Sequence, residues 1–306
     1  MNLRLLLLDI YRRFEKNFVG YRLGKYRILR NLNNNLTSYF KSDFVEINGH
    51  KMLLDAKDPL HLLINKVYEE FETEIVKKLI KKGDIVLDIG ANIGYYTLIF
   101  AKLVGDKGRV YAFEPEPKNF VLLTKNIELN QYQNVMLVQK ALSDKDGTIR
   151  LNLLEDNTAG HFIGSVTKNN ENSIDVSVTR LDEYFNDYDG TINFIKMDVE
   201  GAESGVIQGM IKLLQKINHL TMMVEFNPRV IIRFGVEPEH YLELLQENGF
   251  KLYELDGKRK KIKPVNLSEI LRNYPPEKEK YTNLLCIKGK LQREEMSIIE
   301  SYLERN

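Results

Sequence analysis

A chain of 306 residues, 43% hydrophobic and 28% charged, is long enough for one large α/β domain with appendages and too apolar for a disordered chain. Its net charge of +1 excludes a global electrostatic pull toward nucleic acid or anionic lipid. The single cysteine, Cys286, excludes an intramolecular disulfide and a cysteine-rich zinc site, and its apolar surroundings read as core in a reducing, cytoplasmic setting.

The first thirty residues carry eight Lys/Arg against two Asp/Glu. Leu3, Leu7, Tyr11, Phe14 and Phe18 recur at three- and four-residue steps, which predicts one apolar helical face. Such a basic helix fits peripheral membrane contact or packing on the domain, and packing is the preferred reading. The longest early apolar run, Leu5 to Leu8, falls far short of the ~20 residues a membrane span takes. A polar linker at Asn31–Asn35 follows, then a β-hairpin around Asn48-Gly49. A helix is predicted over roughly 60–82, ended by Gly83.

From residue 85 the pattern alternates. Strands are predicted at Ile85–Ile89, Arg109–Phe113, Val135–Gln139, Ile192–Met197, His219–Phe226, Lys251–Leu255 and Thr282–Lys288, and helices near 95–104, 118–130, 202–216 and 238–248. This order predicts parallel strands joined by right-handed crossovers. Thr148–Leu153 and Ile174–Val178 read as extended segments around a polar loop, residues 156–173, of a length typical of binding loops. The basic run Lys258–Lys263 lacks interleaved aromatics and reads as a solvated hairpin, so nucleic acid is not an expected partner. The expected organisation is an appendage over 1–58, a main domain over 59–290 and a C-terminal helix over 291–306.

The strongest local signal is the strand ending in Asp88-Ile89 and running through Gly90-Ala91-Asn92-Ile93-Gly94 into a helix that opens with Tyr95. Gly90 is expected to let the backbone turn tightly and approach a ligand; Gly94 lets the helix begin close to the sheet. Neither the P-loop nor the Gly-x-Gly-x-x-Gly dinucleotide pattern is present. Asp88 before the turn is hostile to pyrophosphate and suits a cationic ligand. Glu114, followed by Pro115, lies twenty-four residues beyond Gly90, near the distance at which an acid accepts hydrogen bonds from both hydroxyls of a ribose.

Joined with Lys196-Met197-Asp198-Val199-Glu200-Gly201-Ala202-Glu203 and Val224-Glu225-Phe226-Asn227-Pro228, these segments resemble the FkbM-type methyltransferase family over about residues 84–230. The resemblance implies a Rossmann-like, doubly wound, seven-stranded and mostly parallel sheet with an antiparallel last strand. It further implies S-adenosylmethionine as methyl donor and a hydroxyl oxygen of a saccharide, glycolipid or other small molecule as acceptor. Donor contacts are then expected from Asp88, Gly90, Ala91, Asn92, Gly94 and Tyr95 at the turn. Glu114 and Pro115 are expected at the second strand, and Ala141, Ser143 and Asp144 in the loop beside the adenine.

Methylating an alcohol requires removal of its proton by a base or help from a metal. Asp198 ends the fourth strand, where acceptor and methyl should meet, and is the preferred catalytic residue. Asp198, Glu200 and Glu225 share one sheet edge and suit a hard cation such as Mg²⁺, or supply a base. His161 is the other candidate base. Glu203 reads as well as a helix-opening acid. By strict alternation Lys196 shares a face with Asp198 and is placed to neutralise the carboxylates. Two readings stay open: an oxygen-directed enzyme, and a binding scaffold that keeps the fold without catalysis. An amino-directed nucleic-acid methylase is disfavoured because Asp198-Val199-Glu200-Gly201 stands where its Asn/Asp-Pro-Pro-Tyr/Phe turn is needed, and a base-carbon one because Cys286 is poorly placed as a nucleophile.

Overall fold

The computed structural model describes residues 44–55, 58–154, 160–163 and 172–303. The amphipathic segment expected at 3–18, the Asn31–Asn35 linker and most of the 156–173 loop lie outside the described residues.

A hairpin of β1 (Val45–Ile47) and β2 (His50–Met52) comes first. Its turn residues Asn48 and Gly49 both take positive φ, 51° and 77°, the geometry that matches the twist of the flanking strands. Helices α1 (Leu62–Asn65) and α2 (Glu70–Leu79) follow. The single helix expected over 60–82 is therefore broken, because Lys66 and Glu69 adopt left-handed backbone at φ 60° and 43°.

The alternating region supplies β3 (Ile85–Ile89), α3 (Tyr95–Val104), β4 (Arg109–Phe113), α4 (Pro117–Leu129) and β5 (Val135–Val138). Short strands β6 (Ala141–Leu142), β7 (Gly147–Asn152), β8 (Phe162–Ile163) and β9 (Ser173–Thr179) come next, then α5 (Leu181–Tyr184) and β10 (Phe194–Met197). Beyond these lie α6 (Glu203–Gln208), α7 (Ile211–Lys216), β11 (Leu220–Phe226), α8 (Pro228–Ile231), a 3₁₀ turn at Ile232–Phe234 and α9 (Pro238–Glu247). The chain closes with β12 (Phe250–Asp256), β13 (Lys261–Pro264), α10 (Leu267–Asn273), β14 (Thr282–Lys288) and α11 (Arg293–Tyr302).

The main sheet has the order β13-β12-β14-β11-β10-β3-β4-β5. β11, β10, β3, β4 and β5 run parallel, and β14 is antiparallel to both of its neighbours. This is the doubly wound, Rossmann-like sheet with an antiparallel last strand. The expected count of seven is exceeded by one, since the basic run at Lys258–Lys263 turns a hairpin that adds β13 to the edge.

Parallel strands covered on both faces read as continuous apolar runs, and the core divides accordingly. Val86 packs with Leu98, Phe100 and Ile75 on one face. Its neighbours Leu87 and Ile89 pack with Phe113, Val206 and Tyr241 on the other. Cys286 is fully buried in the second cluster, as its surroundings predict. The two extended segments around the polar loop pair antiparallel as β7 and β9 and build a four-stranded second sheet, β6-β9-β7-β8. The hairpin is tied to α4 by Asn126, whose side chain accepts from Leu53 N at 2.6 Å and donates to the Leu53 and Ile93 carbonyls at 3.1 and 2.8 Å. No described helix is long and apolar enough to cross a membrane.

Neighbouring strands leave β3 in opposite directions of chain order, which makes the carboxyl edge beside β3 and β10 the switch point where open α/β sheets bind ligands. The glycine turn, Glu114 and Asp198 all follow strands that end there.

Candidate active site

Gly90 continues β3 at φ +81°, and a Cβ there would sit 1.9 Å from the Asp198 carbonyl oxygen. The clash that demands glycine is thus with the end of the adjacent strand β10, rather than with a ligand as expected. Gly94 opens α3 at φ +93°, where a Cβ would lie 2.7 Å from Leu123 Cδ1. Its freedom serves packing of α3 against α4.

Between the carboxyl ends of β3, β4 and β10 lies a cleft open to solvent. Gly90 and Asn92 form one wall, and Glu114 and Pro115 another. Glu114 is 5% exposed. Its Oε2 accepts from Asn92 N at 2.8 Å and its Oε1 from Glu116 N at 2.9 Å. Two backbone donors and the Asn119 side chain aim the carboxylate at the cleft, where it can accept from a diol. Burial lifts this carboxyl to about 7, against the pull of those amides.

Asp198 and Glu200 enter the cleft from the turn after β10. Asp198 Oδ2 receives Lys196 Nζ at 2.9 Å, with side-chain exposures of 25% and 5%. The expected shared face is therefore realised as an ion pair, with the ammonium lying 4.7 Å over the Tyr96 ring. Burial works against the Lys196 charge, but Asp198, Glu69 and Asp88 outweigh it and hold the ammonium above its ordinary value. Glu200 is raised to about 8 by burial and by Asp198 and Glu203. Glu203 Oε1 accepts from the amides of Val199 and Gly201 at 3.3 and 3.2 Å, the structural role of an acid capping a turn. His161 also lines the cleft, with Nδ1 accepting from Leu154 N at 3.1 Å.

Ala141 lines the cleft as well, whereas several other expected residues do not. Asp88 is 2% exposed and lies under the turn, where its Oδ2 accepts from Thr97 Oγ1 at 2.5 Å; burial raises it to about 6. Ala91 and Gly94 are absent from the lining. Tyr95 is buried and holds structure instead: its hydroxyl accepts from Asn48 Nδ2 and Tyr68 N, at 2.9 and 3.1 Å. Ser143 and Asp144 bond each other beyond the rim, at 2.9 Å. Glu225 stands outside the cleft, accepting from Asn227 Nδ2 at 3.1 Å, and burial and its acidic neighbours push it well up. Among the described residues no group of three or more His, Cys, Asp or Glu is arranged to hold a metal ion. Asp198, Glu200 and Glu225 do not form the expected Mg²⁺ centre.

The cleft also includes residues the sequence reading missed. Lys140 and Leu142 flank Ala141 and were reachable by extending that loop by one residue. Leu151 arrives from the second sheet, where no local pattern announces it.

Residues 88–252 match the methyltransferase FkbM domain. The chain is 29% identical over 182 residues to the hexuronic acid methyltransferase AglP of Haloferax volcanii, a span covering 58% of this chain and 68% of AglP. It is 31% identical over 160 residues to the 2-O-methyltransferase NoeI of Sinorhizobium fredii, covering 47% of this chain and 64% of NoeI. With more than half of its length matched, and the strand order and edge cleft described above, the chain belongs to the FkbM methyltransferase domain family.

Proposed function

We propose that this protein moves a methyl group from S-adenosylmethionine to a hydroxyl oxygen of a saccharide, glycolipid or similar small molecule. The carrying observation is the Glu114 carboxylate, buried on the cleft wall with both oxygens steered by backbone amides. That arrangement fits two ribose hydroxyls. The lining carries three carboxyl groups, Glu114, Asp198 and Glu200, and a single lysine, Lys140, a set poor in the donors a pyrophosphate needs and compatible with a sulfonium. The names of two relatives, a hexuronic acid methyltransferase and a 2-O-methyltransferase, support a saccharide and a hydroxyl oxygen respectively.

The donor already carries an activated methyl, so the chain's work is to position and to manage a proton. In this reading Gly90, Asn92 and Glu114 hold the nucleoside, with Pro115 and Ala141 beside the base. Asp198, steadied by Lys196, lies where methyl and acceptor meet and orients the acceptor hydroxyl. The test is transfer of labelled methyl from S-adenosylmethionine to a panel of neutral methyl glycosides, uronic acids and glycolipids. A base-stable methyl ether is the expected product. A base-labile ester, or label found only on nitrogen, would contradict oxygen methylation of a hydroxyl.

A further inference from the structure

The break in the helix expected over 60–82 brings another carboxylate, Glu69, within the electrostatic field of Asp198. Glu69 precedes α2 in left-handed backbone, a conformation that a non-glycine residue keeps only where its surroundings impose it. Here they do. Tyr68 N donates to the Tyr95 hydroxyl at 3.1 Å, and Thr73 Oγ1 donates to the Tyr68 carbonyl at 2.8 Å. The side chain is held equally firmly: Glu69 Oε2 accepts from the Tyr96 hydroxyl and Oε1 from Asn283 Nδ2, each at 2.9 Å.

Strand register explains how these groups come together. Met197 pairs with Val224, and Glu225 pairs with Asn283 across the antiparallel strand β14. Asp198, Glu225 and Asn283 therefore follow one another along the carboxyl edge, with Glu69 laid over that row. Lys196 is a single ammonium among Asp198, Glu69 and Asp88. One cation among three carboxylates leaves room for a proton. Burial pushes the Glu69 carboxyl up against the pull of Lys196, and Asp198 and Glu72 add to the rise. Asp198 differs in the charge of its partner: a Lys196 ammonium holds its Oδ2, whereas the Glu69 oxygens accept from the neutral Tyr96 hydroxyl and Asn283 amide. Tyr281, 55% exposed, stands within the field of Glu69, Glu225 and Asp198 and marks where this acidic face meets solvent.

We propose that Glu69 is the catalytic base that takes the proton of the acceptor hydroxyl, an assignment resting on the methyl-transfer reading. The acceptor O–H bond breaks toward Glu69 as the oxygen forms a bond to the methyl carbon. The carbon–sulfur bond breaks with its electron pair going to sulfur, giving methyl ether, S-adenosylhomocysteine and a protonated Glu69. The proton then passes to water.

The test compares the full chain with its Glu69→Gln and Glu69→Asp variants, using labelled S-adenosylmethionine and neutral methyl glycosides. Neutral acceptors are the right probes because an acidic face disfavours carboxylated sugars. The expected result is a kcat at least ~100-fold lower in Glu69→Gln, the scale of general-base catalysis. Donor affinity and thermal midpoint should stay near wild type, Glu69→Asp should keep part of the rate, and the acidic limb of the kcat profile should vanish in Glu69→Gln. Wild-type turnover in Glu69→Gln would overturn the assignment while leaving methyl transfer intact. Failure of the wild-type chain to bind the donor would remove both. If the donor binds and no glycoside accepts methyl, carbon-13 NMR of labelled glutamates decides. A resonance missing in Glu69→Gln that titrates above the ordinary glutamate value supports the base, and one that titrates at the ordinary value overturns it.

Discussion

Gly90 and Asp198 touch: a methyl group added to the first would fall 1.9 Å from the carbonyl oxygen of the second. The turn proposed to hold the donor and the strand end proposed to meet the acceptor are thus one packed unit, across the β3–β10 pair. Gly90→Ala should force both a strained positive φ and a shift of Asp198. The expected loss is at least about 2 kcal/mol of stability. Urea unfolding checks it, and an unchanged midpoint would show that the turn has slack.

Glu114 gives a pH prediction. Burial lifts its folded value from 4.5 to about 7. The folded chain therefore holds more protons than the unfolded chain between those values, and this residue makes stability fall as pH rises through that window. The ionised carboxylate is the better acceptor for two ribose hydroxyls, so donor affinity should rise over the same window, with proton release on binding. Glu114→Gln should flatten both dependences. Stability and calorimetric titrations in two buffers of different ionisation enthalpy would measure them.

Asp198→Asn should lower kcat at least ~100-fold while leaving donor affinity within a few-fold. Lys196 keeps Glu69 and Asp88 as partners in that variant, so the fold should persist. Steady-state rates beside a thermal melt test this, and full activity would remove Asp198 from the chemistry.

Asn126 is fully buried and bonds Leu53 through both its oxygen and its nitrogen. Asn126→Leu should leave the Leu53 and Ile93 groups unpaired and cost about 2–3 kcal/mol. Faster hydrogen exchange at the Leu53 amide would locate the damage at the hairpin's attachment.

How far the sequence could be read follows from how local each feature is. The unit from Ile85 to Val104 is an apolar strand, a glycine turn and an apolar helix in direct succession, and its bounds match the structure at both elements. Glu114 was legible because its distance from Gly90 is set by one helix and one strand. The break at Glu69 was not, because its backbone is imposed by Tyr95 and Thr73 through contacts that no periodicity records. Position in the motif places Asp88 and Tyr95 at the ligand, yet both side chains turn into the protein, one to Thr97 and the other to Asn48. Leu151 reaches the cleft through pairing of β7 with β8 and β9, relations between segments ten or more residues apart.

The cleft between Gly90 and Glu114 is proposed to accept a cationic sulfonium nucleoside. Calorimetric titration of the full chain with S-adenosylmethionine, S-adenosylhomocysteine and NADH decides this. Saturable one-to-one binding of the first two, weakened severalfold or more in Glu114→Ala, with no heat from NADH, is the predicted result. Binding of NADH in their place, or an affinity for S-adenosylmethionine that Glu114→Ala leaves untouched, would contradict it.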